Sequence, residues 1–379
     1  MRARVLASRS LPLAISLCLA VASPTTAQTA GVSNADPIPW ARALEQDPAW
    51  YGSTEAVRIA DNVLLHQSPN GGWDKNIDMA VILDDAARVE LAARRSEWQT
   101  TIDNGATYEQ VRYLARVYDA TAHERFRDAA LRGIEYLLEA QYDNGGWPQF
   151  FPLRNGYWSR ITFNDNAMIN VMRLLDDVAA GQAPFSFVAQ DVRARASTAV
   201  EKGVDMILRV QIVVDGVLTG WCAQHDEVDL SPAQGRTYEH PSISGSEGVG
   251  VVRYLMSIEN PSPEVIRAIQ SAVAWYDAVR IPGIRVDVRR DETLPGGTDR
   301  VVVEDPNAPS MWARFYEIGT NRPIFSGRDG IIKYSLAEIE HERRVGYSWL
   351  GHYAAELLSV DYPAWQARWA PDENVLAER

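Results

Sequence analysis

Trp73, Trp147 and Trp221 follow one another at the same interval, 74 residues in both steps. The first two close near-identical turns, Gln67-Ser-Pro-Asn-Gly-Gly-Trp73 and Gln141-Tyr-Asp-Asn-Gly-Gly-Trp147. The third closes a looser one, Gly216-Val-Leu-Thr-Gly-Trp221. Such a period marks a supersecondary unit that cannot bury its apolar face alone and must stack on its copies. Each turn is preceded by apolar residues at spacings of three and four, as in Phe126, Ala130, Leu131, Ile134, Leu137 and Leu138, or Val192, Ala196, Val200, Val204, Ile207 and Leu208. That spacing puts them on one helical face.

A second helical pattern follows each turn. Val111, Leu114, Ala115 and Tyr118 carry it first; Met168, Val171, Met172, Leu175 and Val178 second; Val249, Val252, Leu255 and Met256 third. The unit is therefore helix, Gly-Gly-Trp turn, loop, helix. Three such hairpins predict an all-α chain, an α/α toroid, with a last apolar helix near Val345 to Leu358 completing the packing. Between Ile281 and residue 332 the pattern changes to short β-prone runs broken by Pro295-Gly-Gly and Pro306. This reads as a β-containing insertion, since no linker composition marks a second domain.

The N-terminus stands apart. Arg2, Arg4 and Arg9 precede the apolar run Leu11 to Val21, and small residues follow, with cleavage sites after Ala22 or Ala27. This order is that of a secretory signal peptide, and the run is too short to span a bilayer. The expected mature protein is one domain over residues 28–379, exported to the periplasm or beyond, with no membrane partner. Its only thiol would be Cys222, so no internal disulfide forms. The net charge of −13, more negative still without the three leader arginines, argues against nucleic acid as a partner. The tryptophans of the turns read first as anchors packed on the toroid.

The repeat also aligns polar groups. Asp103-Asn104 and Asp165-Asn166 each sit near the start of the helix that follows a turn, where the two carboxylates converge at one end of a toroid. Helix capping is the competing explanation, and Thr107 with Gln110 spells a capping box. The third repeat differs: Arg236 stands near the position where the others offer Asp-Asn, and on residue type alone it suits a salt bridge. Arg314 and Arg328 lie in the insertion among aromatics, suited either to bidentate carboxylate recognition or to surface ion pairs. His225, Asp226, Glu227 and Asp229 resemble metal ligands only by type, because adjacent positions point apart; a solvated loop is the simpler reading. Cys222 beside Trp221 reads as core.

Six ordered motifs carry a resemblance. They are Gly-Gly-Trp-Asp-Lys-Asn-Ile-Asp-Met (71–79), Thr-Ile-Asp-Asn-Gly-Ala-Thr (101–107), Phe-Asn-Asp-Asn-Ala-Met (163–168), Trp-Cys-Ala-Gln-His-Asp (221–226), Gly-Arg-Thr-Tyr-Glu (235–239) and Ser-Gly-Ser-Glu (244–247). From about Ala56 to Tyr353 the chain resembles polysaccharide lyase family 10, the pectate lyases, whose fold is an α/α toroid. The resemblance implies Ca²⁺-dependent β-elimination of polygalacturonate, the uronate backbone of pectin. It implies that Asp103 and Asp165 serve Ca²⁺ and that Arg236 is the base. Asn104, Arg314 and Arg328 would then hold uronate groups, with Lys75 a further candidate. Three positions depart from the family pattern: Asp74 for Pro, Arg160 for His, and His240 for Leu or Pro.

The chemistry accounts for so unusual a set. Removing the C5 proton beside a carboxylate is tolerable only if that carboxylate is neutralised. A hard, oxygen-seeking cation and preorganised arginines do this. A free guanidinium stays protonated far above neutral pH, so an arginine base implies an alkaline optimum. Two rival readings use the same residues: an inverting glycoside hydrolase with Asp103 and Asp165 as acid and base, and a glycan-binding protein without turnover.

Overall fold

The computed structural model describes residues 38–376 apart from residue 98; the signal-peptide segment lies outside the described residues. Seven helices alternate between two layers. α1 (Thr54–His66), α3 (Glu124–Glu139), α5 (Gln190–Val210) and α7 (Pro263–Ala278) each lead into a turn. α2 (Tyr108–Thr121), α4 (Ala167–Ala180) and α6 (Glu247–Met256) each follow one. Within each layer successive helices pack side by side, and α2 packs on α3 as α4 does on α5, giving the α/α toroid. The periodic residues are those buried: Met168, Val171, Met172, Leu175 and Val178 on α4 are all inaccessible. Local chemistry sets the helix ends. The Ser53 hydroxyl accepts from Ala56 N (3.1 Å) at the start of α1, and Ser262 followed by Pro263 opens α7.

The turns are built alike. Trp73, Trp147 and Trp221 are fully buried, and each indole N–H donates at 2.8 Å to a carbonyl of the preceding helix: Val63, Leu137 and Ile207. A glutamine starts each turn. The Gln67 amide donates to Gly71 O (3.0 Å) and to Ala129 O of α3 (2.9 Å). Gln141 does the same with Gly145 O (3.0 Å) and Ala199 O of α5 (2.8 Å). Gln211 reaches Thr219 O (2.8 Å) and Ala268 O of α7 (3.0 Å). One carboxamide thus pins a turn to the helix of the next repeat. Gly71 and Gly145 have φ of +95° and +99°, and a Cβ there would lie 2.3 and 2.1 Å from the Arg132 and Lys202 carbonyl oxygens, so only glycine fits.

The insertion departs from the helical pattern as expected, and it adds a fourth, degenerate turn. Trp312 Nε1 donates to Tyr276 O of α7 (2.8 Å), as its three counterparts do to their helices. The chain between them makes an antiparallel hairpin, Ile284–Arg290 on Thr298–Glu304. Short strands tie the insertion to the toroid: Ile243–Ser244 pairs with Phe315–Tyr316, and Trp312–Ala313 with Leu350–Gly351. A small second core of Ala223, Tyr238, Phe315, Ile324, Phe325, Leu336, Ile339 and Trp349 lies beneath it.

Two sequence expectations change. The apolar run Val345 to Leu358 is not one helix. It ends the short helix His341–Gly346, passes through Leu350–Gly351 and enters a helical segment running through Leu357–Asp361 into α8 (Tyr362–Trp369). Sheet pairing with Trp312–Ala313 captures the middle of the run. Thr107 stands at the N-cap position of α2 but makes no side-chain cap either. Its hydroxyl accepts from Trp73 N (3.1 Å) and donates to Thr101 O (2.9 Å), joining turn to loop instead.

The glutamine clamp is testable. Gln141→Ala removes both bonds of the clamp, to the turn and to α5, and we expect it to lower unfolding free energy by about 1–3 kcal/mol, read by urea denaturation against wild type.

Candidate active site

Backbone geometry fixes which residues of the repeats correspond. After each turn the chain returns to donate an N–H to the tryptophan carbonyl: Thr101 to Trp73 (3.1 Å), Thr162 to Trp147 (3.2 Å) and Ser244 to Trp221 (2.7 Å). Two residues beyond these anchors stand Asp103, Asn164 and Ser246; three beyond stand Asn104, Asp165 and Glu247. The register is therefore one residue off the Asp-Asn alignment read from sequence. Asp103 corresponds to Asn164, and Asp165 to Asn104. Asn104 and Asp165 share a left-handed φ of +50°, which Asn and Asp tolerate better than most side chains. The third repeat answers with Glu247, not with Arg236, which comes from the loop before it. The turn carrying Asp103 packs on α4 and the turn carrying Asp165 on α6, so stacking sets these positions side by side.

The two aspartates sit in different surroundings. Asp103 is 4% exposed. One oxygen pairs with Lys75 Nζ, while Oδ1 is buried with no hydrogen-bond partner. Lys75 also lies 5.5 Å from the centroid of the Phe150 ring. Asn104 is exposed and donates to Asn76 Oδ1 (3.0 Å). The Asp165 side chain is half exposed and receives Arg314 Nη2 at 3.4 Å.

Arg314 is nearly buried. Its backbone is held by Trp349 O and by Gly245 N, and its guanidinium pairs with Glu247, which the Ser244 hydroxyl also supports. Burial works against its charge, but Glu247, then Tyr347 and Asp165, outweigh that and hold its pKa above the ordinary arginine value. Glu247 was quoted in sequence only as part of a motif; its role depends on a contact 67 residues away in the chain.

Arg236 meets Arg314 across one ring. The two guanidinium carbons lie 5.4 and 4.6 Å from the Tyr347 centroid. Arg236 Nη2 donates to Glu239 Oε1 (2.5 Å), its backbone N donates to Oε2 (2.9 Å), and the Tyr347 hydroxyl donates to Oε1 (2.6 Å). Burial disfavours the Arg236 cation, yet buried Glu239 overrides this and raises the pKa above the usual value. Arg328 is apart from this group: exposed, and paired to Glu342 through two 3.1 Å bonds. Glu342 also takes Arg343, whose guanidinium lies 4.8 Å from the Tyr238 centroid, beside Arg236.

The loop after Trp221 is not simply solvated. His225 is fully buried; its Nε2 accepts from Cys222 N (3.2 Å) and its Nδ1 faces Leu230 O (3.0 Å), as a neutral imidazole requires. Asp226 and Glu227 pair with Arg160. His240 contacts Ser326 Oγ (3.0 Å), and Asp74 Oδ1 accepts from Lys75 N (2.8 Å). Among the described residues no group of three or more His, Cys, Asp or Glu side chains is placed to hold a metal. For Ca²⁺ the fit rests on oxygen donors alone: the unpartnered Asp103 Oδ1 and the half-exposed Asp165 carboxylate. Two carboxylates leave most of a six- to eight-oxygen shell to ligand and water.

Burial pushes the His225 pKa down to about 4. The unfolded chain binds that proton near pH ~6.5, so the contribution is present above pH ~6.5 and lost as pH falls through 4. It amounts to about 3 kcal/mol. Urea unfolding between pH 7 and 4 should show this loss, and His225→Asn should flatten it.

Residues 67–358 match the family model described as pectic acid lyase. Among solved structures, a family 10 polysaccharide lyase from Cellvibrio cellulosa is 36% identical with a TM-score of 0.70, over 82% of this chain and 93% of that one. A mutant of the Cellvibrio cellulosa family 10 lyase, in complex with trigalacturonic acid, is 37% identical with a TM-score of 0.69, over 83% and 96%. No curated protein matches.

Proposed function

The chain belongs to the pectic acid lyase family and is a pectate lyase; on that footing we propose how its own residues handle α-1,4-linked polygalacturonate. The observation that carries the proposal is the chain of contacts Asp165–Arg314–Tyr347–Arg236–Glu239, which sets two guanidinium groups on one aromatic ring beside an exposed carboxylate.

Arg314 is the fixed element. Buried, stacked and paired with Glu247, it cannot swing, so its remaining donors are preorganised toward a uronate carboxylate. Asn104, Lys75 and Arg328 hold further uronate oxygens; Arg328 does so from the rim, exchanging Glu342 for substrate. Asp103 and Asp165 would hold Ca²⁺, completed by the substrate carboxylate, and the bound ion would supply Lewis-acid neutralisation of that carboxylate. Arg236 takes the C5 proton. The C4–O4 bond then breaks, C4 and C5 become doubly bonded, and the departing oxygen takes a proton from water. Glu239 keeps resting Arg236 charged, so the base form grows only as pH rises.

Export of the mature chain is part of the same proposal and rests on the leader in the sequence. N-terminal sequencing of the mature protein should begin at Ser23 or Gln28.

Incubation with polygalacturonate at alkaline pH should raise the ultraviolet absorbance of the 4,5-unsaturated product, and chelator should abolish the rise. New reducing ends without that absorbance would mean hydrolysis. Arg236→Ala should lower kcat by about 10²–10⁴ while polygalacturonate still binds. Glu239→Gln removes the charge that raises the Arg236 pKa, so the rising limb of the pH–rate profile should move to lower pH. A limb that stays in place, or an optimum at or below pH 6, would rule out Arg236 as base.

A further inference from the structure

The cations of the site share a property: each is already paired with a carboxylate of the chain. Lys75 holds Asp103, Arg236 Glu239, Arg314 Glu247 and Asp165, Arg328 Glu342, and Arg160 Asp226 and Glu227. Arg154 differs. Among the described residues no Asp or Glu forms an ion pair with it, and its Nη1 donates only to the neutral Gln99 Oε1 (2.7 Å). Its guanidinium carbon lies 4.3 Å from the Trp158 centroid and 4.7 Å from that of Phe150.

Its location gives this meaning. Phe150 carries Arg154 at 4.7 Å and Lys75 at 5.5 Å, so the two cations stand within about 10 Å of each other across one ring. Lys75 leads directly to Asp103. The loop between the Trp147 turn and the strand at Ile161 thus stands beside Lys75, one contact removed from Asp103. Arg154 and Trp158 are both partly exposed there. A guanidinium has five N–H donors in a planar fork that matches a carboxylate, and Arg154 spends one on Gln99.

We propose that Arg154 and Trp158 form an outer subsite, beyond Lys75, for one further galacturonate of a long chain. The free fork of Arg154 takes the carboxylate, and the indole offers an apolar face to the sugar ring. This rests on the polygalacturonate reading above and adds a determinant to it: the subsite selects for an unesterified uronate. A methyl ester keeps the sugar but removes the negative charge that the unpaired guanidinium is placed to meet.

The test is calorimetric binding of hexagalacturonate and of its fully methyl-esterified form to the full mature chain in an Arg236→Ala background, which prevents turnover. Arg154→Ala should weaken the free acid by about tenfold, a loss of ~1.4 kcal/mol, and leave the ester within about twofold. Arg154→Lys should recover part of the loss, and Trp158→Ala should weaken acid and ester together. Thermal melts check that each variant folds, with Arg154→Lys as the mildest change. Unchanged acid binding in Arg154→Ala, or an equal loss for acid and ester, would overturn the subsite while leaving the lyase reading intact. Failure of the unsubstituted background to bind hexagalacturonate at all would remove the substrate reading and the subsite with it.

Discussion

A single side-chain carboxamide holds each repeat to the next. Gln67, Gln141 and Gln211 each give one proton to their own turn and one to a helix backbone 57 to 62 residues further along. Everything nearer the site hangs from that clamp. It fixes the turn, the turn places the tryptophan, the tryptophan carbonyl receives the returning loop, and the loop presents Asp103, Asp165 or Glu247. The bonds of Gln67 and Gln211 are buried and those of Gln141 partly so, where water replaces a lost partner poorly, and the arrangement tolerates little drift. The toroid is in this sense a frame for three loops that must end in register.

The site that results is electrostatically crowded and internally neutralised. A buried arginine is costly unless paired, and the chain gives buried Arg314 and the part-exposed Arg236 their own carboxylates. The consequence differs for the two. For Arg314 the pairing is an advantage, because a charged, immobile guanidinium is what uronate recognition needs. For Arg236 it works against the proposed task, since Glu239 stabilises the protonated form. With Arg236 as the proposed base, that pairing would tie activity to alkaline conditions. Arg154 is set apart from these compromises by lacking an acidic partner.

The repeat was readable because the tryptophan interval and the three-and-four apolar spacing survive in the chain. What was not readable has identifiable causes. The Gln211 clamp was hidden because a short hairpin, Val213–Val214 on Val217–Leu218, widens the gap between glutamine and tryptophan. The fourth turn at Trp312 was hidden by the larger hairpin inserted before it. The Asp-Asn alignment failed by one residue because like letters were matched, whereas the backbone matches Asn104 with Asp165. The helix expected over Val345 to Leu358 failed because strand pairing with a distant segment overrode local apolar periodicity.

The sequence by itself determined the architecture and the chemical inventory. Periodic burial selects stacked helical hairpins; ordered motifs carry Lys75, Asp103, Asn104, Asp165 and Arg236, and the insertion adds Arg314 and Arg328. Tertiary structure decided the pairings. That Glu239 belongs to Arg236, that Glu247 stands where a third Asp-Asn might have stood, that Arg328 sits on the rim, and that Arg154 is left unpaired all depend on contacts between distant segments. Helical periodicity is a local property and leaves its mark in neighbouring residues. The electrostatic state of a side chain depends on what folds against it, and no spacing within its own segment records that.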